Sequence, residues 1–178
     1  KLVNALKRKT SLPIVLFPGD VTQISDQADA ILFLSLLSGR NPDYLISKHI
    51  QSVPLLEKTR LEIIPTGYIL VESGSETAVQ RITKTTPISS ELLVTQTAKA
   101  GEYLGMKLIY LEAGSGAKHP VSAHIIALTK SKLNIPIIVG GGIRSKKQIE
   151  KAYKAGADLV VIGTAFEKDL NFFDEITH

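Results

Sequence analysis

Short apolar segments that alternate with amphipathic ones constrain the fold of this chain more than any other feature. Each apolar segment is a nearly continuous run of residues such as Ile, Leu and Val, as in strands that are covered on both faces. Strands that alternate with helices predict an α/β domain with a parallel sheet. We place six strands, at residues 14–17, 30–37, 60–73, 107–112, 135–139 and 158–162.

Apolar spacing and capping residues predict the helices. Ser90 begins a helix that ends near Tyr103, and residues 74–90 before it form an irregular excursion with a short helix. The segment Pro65-Thr66-Gly67 predicts that the third strand is split or bulged. The other predicted elements are a helix end at residues 1–10, a short helix or turn at 21–29, and helices at 43–56, 121–132 and 146–155.

Glycine follows several of the predicted strands, and the last two strand ends are the richest in it. In a (β/α)8 barrel, the loops after strands seven and eight commonly hold a phosphate. If the last two strands here are strands seven and eight, the first two are missing before residue 1, and a start inside a helix agrees with that count. We therefore predict one (β/α)8-barrel domain over residues 1–178, with a doubly wound sheet as the alternative.

The segment 107–116, Lys-Leu-Ile-Tyr-Leu-Glu-Ala-Gly-Ser-Gly, combines a buried strand with a flexible loop. Side chains alternate along a strand, so Tyr110 and Glu112 share one face. Near apolar walls the pKa of a carboxyl rises, which favours Glu112 as a general base for a hydroxyl proton. The alternatives are that Glu112 only accepts bonds from the 114–116 amides, that Tyr110 plugs the barrel instead of orienting a substrate, and that Ser115 only shapes the turn.

Two glycine-rich strand ends predict a phosphate site. Gly140-Gly141-Gly142-Ile143-Arg144 precedes Ser145, a predicted helix cap, and Gly163-Thr164 follows the last strand. Backbone N–H groups bared by glycine at a helix start bind phosphate well. Each segment alone is often just a turn, but together on consecutive strands they predict phosphate binding. A nucleotide P-loop pattern is absent from the sequence.

Composition excludes several classes of protein. The chain has no cysteine, so a disulfide framework and a thiolate metal site are excluded, which agrees with a cytoplasmic protein. No apolar run is long enough to span a bilayer. The net charge of +4 is spread over the chain and suits a phosphorylated substrate better than nucleic acid. Four histidines are interpreted as structural or surface residues (His49, His119, His124 and His178), and Asp20 and Glu72 as caps or members of the barrel mouth.

Several motifs, in order, resemble the family of geranylgeranylglyceryl phosphate synthases and their heptaprenyl relatives. They are Leu-Phe-Pro-Gly at 16–19, Phe-Leu-Ser-Leu-Leu at 33–37, Thr-Gly-Tyr-Ile-Leu-Val at 66–71, Tyr-Leu-Glu-Ala-Gly-Ser-Gly-Ala at 110–117, Gly-Gly-Gly-Ile at 140–143 and Val-Ile-Gly-Thr at 161–164. The resemblance implies a modified (β/α)8 TIM barrel and a Mg²⁺-dependent prenyltransferase. Such enzymes join the 3-hydroxyl of sn-glycerol 1-phosphate to a polyprenyl diphosphate in archaeal-type lipid synthesis.

Carried over by position, the resemblance implies that Glu112 is the base and Tyr110 a second catalytic residue. It implies glycerol phosphate binding by Tyr110, Leu111, Glu112, Ala113, Gly114, Ser115, Gly116, Gly141, Gly142, Gly163 and Thr164. The prenyl tail would lie near Tyr44 and residues 65–68. The aspartate and the glycine-rich turn with which the family binds Mg²⁺ have no counterpart in this sequence, so we expect them upstream and assign no metal ligand here.

The sequence therefore favours a prenyltransferase with two small-molecule substrates, a phosphate acceptor and a polyprenyl diphosphate. The resemblance also implies a homo-oligomer, a dimer or larger, and peripheral membrane contact for product release. The rivals are another phosphate-binding barrel, such as an isomerase or synthase, and a non-catalytic module that binds a phosphate ligand. A degenerate fragment of the family is the alternative to missing upstream strands.

Overall fold

A computed structural model describes residues 1–169 and 171–177. Six parallel strands form one sheet in the order β1-β2-β3-β4-β5-β6. The strands are β1 Val15–Leu16, β2 Ala30–Leu36, β3 Glu62–Leu70, β4 Leu108–Glu112, β5 Ile137–Gly140 and β6 Leu159–Val161. Sequential order is that of a barrel wall, whereas a doubly wound sheet reverses its order partway, so the doubly wound alternative is wrong.

The helices are α1 Leu2–Lys7, α2 Lys48–Leu56, α3 Ala78–Thr83, α4 Glu91–Tyr103, α5 Ala123–Lys130, α6 Lys146–Lys154, α7 Thr164–Lys168 and α8 Phe172–Thr177, with a π-helical segment Asp43–Ser47 before α2. Three serines begin helices as caps, because Ser90, Ser122 and Ser145 accept from the amides three residues later. Residues 21–29 form turns, so the turn interpretation of that segment is confirmed. Among the described residues, no helix is both long and apolar enough to cross a membrane.

The third strand differs from its prediction. β3 runs without a break from Glu62 to Leu70 in continuous register with β2, so the predicted split or bulge at Pro65 is wrong. The Pro65 carbonyl accepts from the amide of Lys107, the residue just before β4 begins. The proline nitrogen therefore lies where the neighbouring strand has not yet started, and the strand tolerates the missing N–H.

The two faces of the sheet are both apolar but are covered differently. The outer face packs against α4, α5 and α6 through a cluster that includes Ile109, Leu111 and Val139. The inner face carries a second cluster in which Leu36, Tyr68 and other inward side chains meet. Since the helices lie outside and side chains fill the inside, the architecture is that of a TIM-barrel wall, as predicted.

The excursion before α4 covers the carboxyl ends of the strands. Its helix α3 begins with a capping box between Thr77 and Gln80, and Val79 packs against the inner cluster. A Cβ placed at Gly114, in the loop after β4, would collide with Thr77. The excursion therefore lies directly against the loop that the sequence identifies as part of the site.

Candidate active site

β4 lies in the middle of the sheet and carries the two predicted catalytic side chains. Tyr110 is in register with Tyr68 of β3, and Glu112 with Leu70. Tyr110 and Glu112 both face the inner side, as alternation along the strand predicts. They line a cavity of about 220 Å³ at the carboxyl ends of the strands.

Glu112 is a buried carboxyl group with few partners. The Gly114 amide donates to its Oε1 at 2.5 Å. Burial raises the pKa of Glu112, and hydrogen bonds from Tyr110 and Gly114 lower it by less, so the net pKa is above that of an ordinary glutamate. One oxygen therefore serves the loop, as the structural interpretation of Glu112 predicted, and the raised basicity suits a proton acceptor.

Tyr110 fills the inner face beside this carboxylate. Its side chain is 1% exposed, and a Cβ at Gly140 would collide with its hydroxyl. Burial and the neighbouring Glu112 charge raise its pKa far above the ordinary value, so the phenol stays protonated and can donate to the carboxylate. Tyr110 thus fills the inner face, as the plug alternative predicted, and can donate to Glu112, whereas a role in orienting the substrate stays a prediction.

Glycines line the polar cavity beside Glu112. Gly141 and Gly142 have φ angles of +81° and +70°, a left-handed conformation that favours glycine. Ser115 and Thr164 also line the cavity, and their hydroxyl oxygens lie 3.4 Å apart. Hydroxyls and glycines around one small cavity are suited to an anion, and phosphate binding there stays a prediction.

Eight of the eleven predicted site residues line this cavity: Tyr110, Glu112, Ser115, Gly116, Gly141, Gly142, Gly163 and Thr164. The other three do not. Leu111 and Ala113 are buried in the outer cluster on the helix side, and Gly114 lies beneath the cavity against Glu112. Family position alone placed Leu111 and Ala113 in the site, whereas the strand directs their side chains away from it.

Several residues outside the predicted acceptor set also line the polar cavity, although Ile143 and Arg144 belong to the predicted phosphate segment and Tyr68 to the segment predicted near the prenyl tail. They are Phe17, Tyr68, Val79, Ile143, Arg144, Val161 and Glu167. Phe17 directly follows β1, and the rule that sites gather at the carboxyl ends of parallel strands was enough to find it. No sequence pattern marks Val79 or Glu167 as residues of the site. Val79 lies at the cavity because α3 packs against the inner cluster, and Glu167 lies there because α7 follows β6.

Arg144 holds the loop after β4 in place. Its guanidinium donates to the carbonyls of Ala117 at 2.5 Å and of Gly116 and Lys118 at 3.4 Å each. Its own amide donates to Gln148 in α6. Arg144 therefore connects the loop that carries Ser115 to the loop after β5. It is a positioning residue for the predicted anion cradle, which consists of Ser115, Gly141, Gly142 and Thr164.

We expect Arg144→Met to raise the KM for the phosphate substrate about 10-fold and to change kcat little, because charge-assisted bonds to the loop are lost. Steady-state kinetics at varied phosphate substrate measure this effect. Arg144→Lys should not restore affinity, since a point charge cannot span three carbonyls. Lys147→Met, which removes a charge three residues on, is the matched control, and an unchanged KM in Arg144→Met would contradict the role.

A second, apolar cavity of about 290 Å³ adjoins the polar one. It lies over β2 and beside α2, with Leu32, Leu36 and Ile24 among its apolar lining. Of the two segments predicted to meet the prenyl tail, Tyr44 and Tyr68 contribute side chains to it. An apolar group therefore has a cavity available to it next to the predicted anion site.

The remaining candidates are structural in the part of the chain that the model describes. His49 is buried edge-on against Phe33 at a centroid distance of 4.5 Å and also lines the apolar cavity. His124 is exposed, with Nδ1 at 2.8 Å from Glu91. Asp20 accepts from the Thr22 amide and hydroxyl in a turn, so the prediction that it caps a helix is wrong, and it lines the apolar cavity, which agrees with the alternative.

Glu72 accepts from the Ser73 and Gly74 amides and so shapes the turn after β3. His119 lies in the loop before α5, where its backbone faces Gly142. His178 lies outside the described residues. None of these side chains lines the polar cavity among the residues that are described.

Comparison with known proteins places this site in a family. The model of the PcrB family matches residues 1–178. A geranylgeranylglyceryl phosphate synthase from Flavobacterium johnsoniae is 64% identical over 175 residues, which cover 97% of this chain and 72% of that protein. A protein of the same name from Pyrococcus furiosus is 46% identical over 167 residues, 94% of this chain and 66% of that one.

Solved structures agree. The (S)-3-O-geranylgeranylglyceryl phosphate synthase of Thermoplasma acidophilum, in complex with sn-glycerol-1-phosphate, superposes with a TM-score of 0.90 at 35% identity and covers 98% of this chain and 70% of that one. The enzyme from Thermoplasma volcanium gives a TM-score of 0.88 at 39% identity, with the same coverage of each chain. The resemblance read from the sequence motifs is confirmed, and this chain belongs to the PcrB family.

Proposed function

We propose that this chain is a prenyltransferase that joins the 3-hydroxyl of sn-glycerol 1-phosphate to geranylgeranyl diphosphate or another polyprenyl diphosphate. The products are an ether-linked prenylglyceryl phosphate, the first ether of archaeal-type lipids, and diphosphate. One observation carries the proposal: a buried carboxyl, Glu112, faces a glycine-walled polar cavity that opens beside an apolar one. The names of the relatives and the glycerol phosphate in the Thermoplasma acidophilum structure support it.

The acceptor would be held by backbone and hydroxyl groups more than by charge. Among the described residues, the polar cavity has two carboxyl side chains, Glu112 and Glu167, and one cation, Arg144, which the loop carbonyls already engage. Phosphate would therefore be bound by the amides of Gly141 and Gly142 and by nearby hydroxyls, as is usual for glycine-rich loops.

In the reaction, the Glu112 carboxylate takes the proton of the 3-hydroxyl. The hydroxyl oxygen forms a bond to C1 of the prenyl group, and the bond between C1 and the diphosphate oxygen breaks. The electron pair leaves with diphosphate, so atoms and charge balance. Tyr110 keeps its own proton and orients the carboxylate, and the apolar cavity excludes water from the reacting carbon.

Mg²⁺ is the cofactor that the family resemblance implies. The residues described do not fit it by themselves, because no three Asp, Glu or His side chains group closely enough to hold an ion. No step above runs through a metal, and Mg²⁺ dependence stays a prediction. Homo-oligomerisation, peripheral membrane contact for product release and a cytoplasmic location also stay predictions.

A transfer assay tests the proposal. The purified full chain is incubated with sn-glycerol 1-phosphate and prenyl diphosphates of several lengths, with and without chelator and added Mg²⁺. We expect equal amounts of ether product and diphosphate, with loss of product on chelation and recovery on Mg²⁺ addition. Tight binding of glycerol phosphate without product under every condition would favour the non-catalytic module, and turnover of a phosphosugar alone would favour the rival barrel enzymes.

A further inference from the structure

The polar and apolar cavities share one wall. Phe17, Tyr68 and Val79 line both of them, whereas Glu112 and the glycines line only the polar cavity. A molecule that spans the two cavities must pass this wall. The shared wall is therefore the place where a group bound in one cavity can react with a group bound in the other.

Two of the three wall residues are aromatic and are held by a third ring. Phe17 lies edge-to-face with Tyr110 at a centroid distance of 5.3 Å, and Tyr68 lies edge-to-face with the same ring at 5.2 Å. Tyr110 is fully buried and fixed in the inner face, so it sets the position of both neighbours. Phe17 is 46% exposed, which leaves much of its ring free to contact a ligand.

The proposed reaction develops positive charge at this wall. As the bond from C1 to diphosphate weakens, an allylic carbon acquires cationic character that its double bond shares. Val79 offers only apolar contact, so the two aromatic rings, Phe17 and Tyr68, are the wall groups that can attract a carbocation through their π-systems. An aromatic face carries a negative quadrupole that attracts a cation within about 6 Å of the ring and does not react with it.

We propose that Phe17 and Tyr68 form an aromatic wall that stabilises positive charge on the allylic carbon during prenyl transfer. The inference rests on the proposed function and adds catalytic residues to it. The wall does not change the balance of the step, because the proton still goes to Glu112 and the electron pair to diphosphate. Its contribution is made in the transition state, so it lowers the barrier without tightening the binding of either substrate.

Phe17 is the residue to test, since its exposure allows substitution without emptying the core. Phe17→Leu should lower kcat about 3- to 30-fold and leave the KM for glycerol phosphate unchanged, because the cation–aromatic attraction is lost. Tyr153→Leu on α6 is the matched control, as its ring is 48% exposed and lies outside both cavities. That variant should keep the wild-type kcat.

A fluorinated series separates electrostatics from packing. Phenylalanines that carry one, two or three ring fluorines, placed at position 17, differ little in size but lose negative charge from the ring face stepwise. We expect log kcat to fall in proportion to the number of fluorines. A flat series, with an active wild-type chain, would overturn the aromatic wall alone, whereas absence of ether product from the wild-type chain would overturn the proposed function.

Discussion

Glu112→Gln should reduce prenyl transfer about 10²- to 10⁴-fold, because the amide cannot accept the proton of the glycerol hydroxyl. The Gln side chain keeps the size of Glu, and its carbonyl oxygen can still accept from the Gly114 amide. Affinity for sn-glycerol 1-phosphate should therefore be unchanged when it is measured by calorimetry. A transfer rate above about one tenth of the wild-type value would contradict the role of general base.

Stability provides the folding control for this variant. Burial raises the pKa of Glu112, so the folded chain keeps this proton at pH values where the unfolded chain has lost it. The free energy of unfolding therefore falls as pH rises from the ordinary glutamate pKa through the raised one. Gln carries no charge, and at neutral pH the variant should unfold thermally at no lower temperature than the wild type. Glu150→Gln, on the exposed side of α6, should keep full transfer activity.

The pH dependence of wild-type activity comes from the same raised pKa of Glu112 but has the opposite sign to that of stability. The base acts only when ionised, so kcat/KM should fall as pH drops through the raised pKa of Glu112. The acid limb should accordingly lie above the ordinary glutamate range. Both tests depend on one physical cause, the removal of this carboxyl from water.

Alternation within β4 was sufficient to predict that Tyr110 and Glu112 share a face, because that property is local to a strand. The same alternation sends Leu111 and Ala113 to the helix side, which a transfer of roles by family position ignores. That the two glycine clusters line one cavity could be predicted because barrel topology brings consecutive strand ends together. Side-chain alternation, a local rule, and strand order in a barrel, a topological rule, therefore point to the same cavity.

Other parts of the site depend on contacts that no local pattern encodes. The three loop carbonyls that Arg144 engages come from a separate loop. The wall role of Phe17, which follows β1, needs the position of Tyr110 on β4, three strands along the sheet. The prediction that Pro65 splits or bulges the strand was wrong for a similar reason, because the effect of a proline depends on where the neighbouring strand begins. Tertiary context decided these positions.

Gly141→Ala should lower kcat/KM for sn-glycerol 1-phosphate on the order of 10²-fold, the typical effect of a displacement near 1 Å in a positioned site. Gly141 has a φ of +81°, and an added Cβ would collide with Oε1 of Glu112 and lie 2.6 Å from the Gly114 nitrogen and 2.8 Å from its carbonyl oxygen, so the change displaces the base as well as the loop. Backbone atoms cannot rotate away as a flexible side chain can. The two loops must therefore separate, and the separation moves the Gly114 amide away from Glu112 as well as widening the anion cradle.

A second glycine variant separates the effect of backbone strain from the effect of the steric clash at Gly141. Gly105 has a φ of +96° and no atom within 4 Å of an added Cβ, so Gly105→Ala carries only the backbone strain of about 1–2 kcal/mol. Both variants should melt a few degrees below the wild type, but only Gly141→Ala should lose affinity for glycerol phosphate in calorimetric titration. Equal affinity in the two variants would mean that the cradle does not hold the phosphate. A loss in Gly141→Ala alone would tie phosphate binding to the close approach of the two loops, because lowered stability is common to both variants.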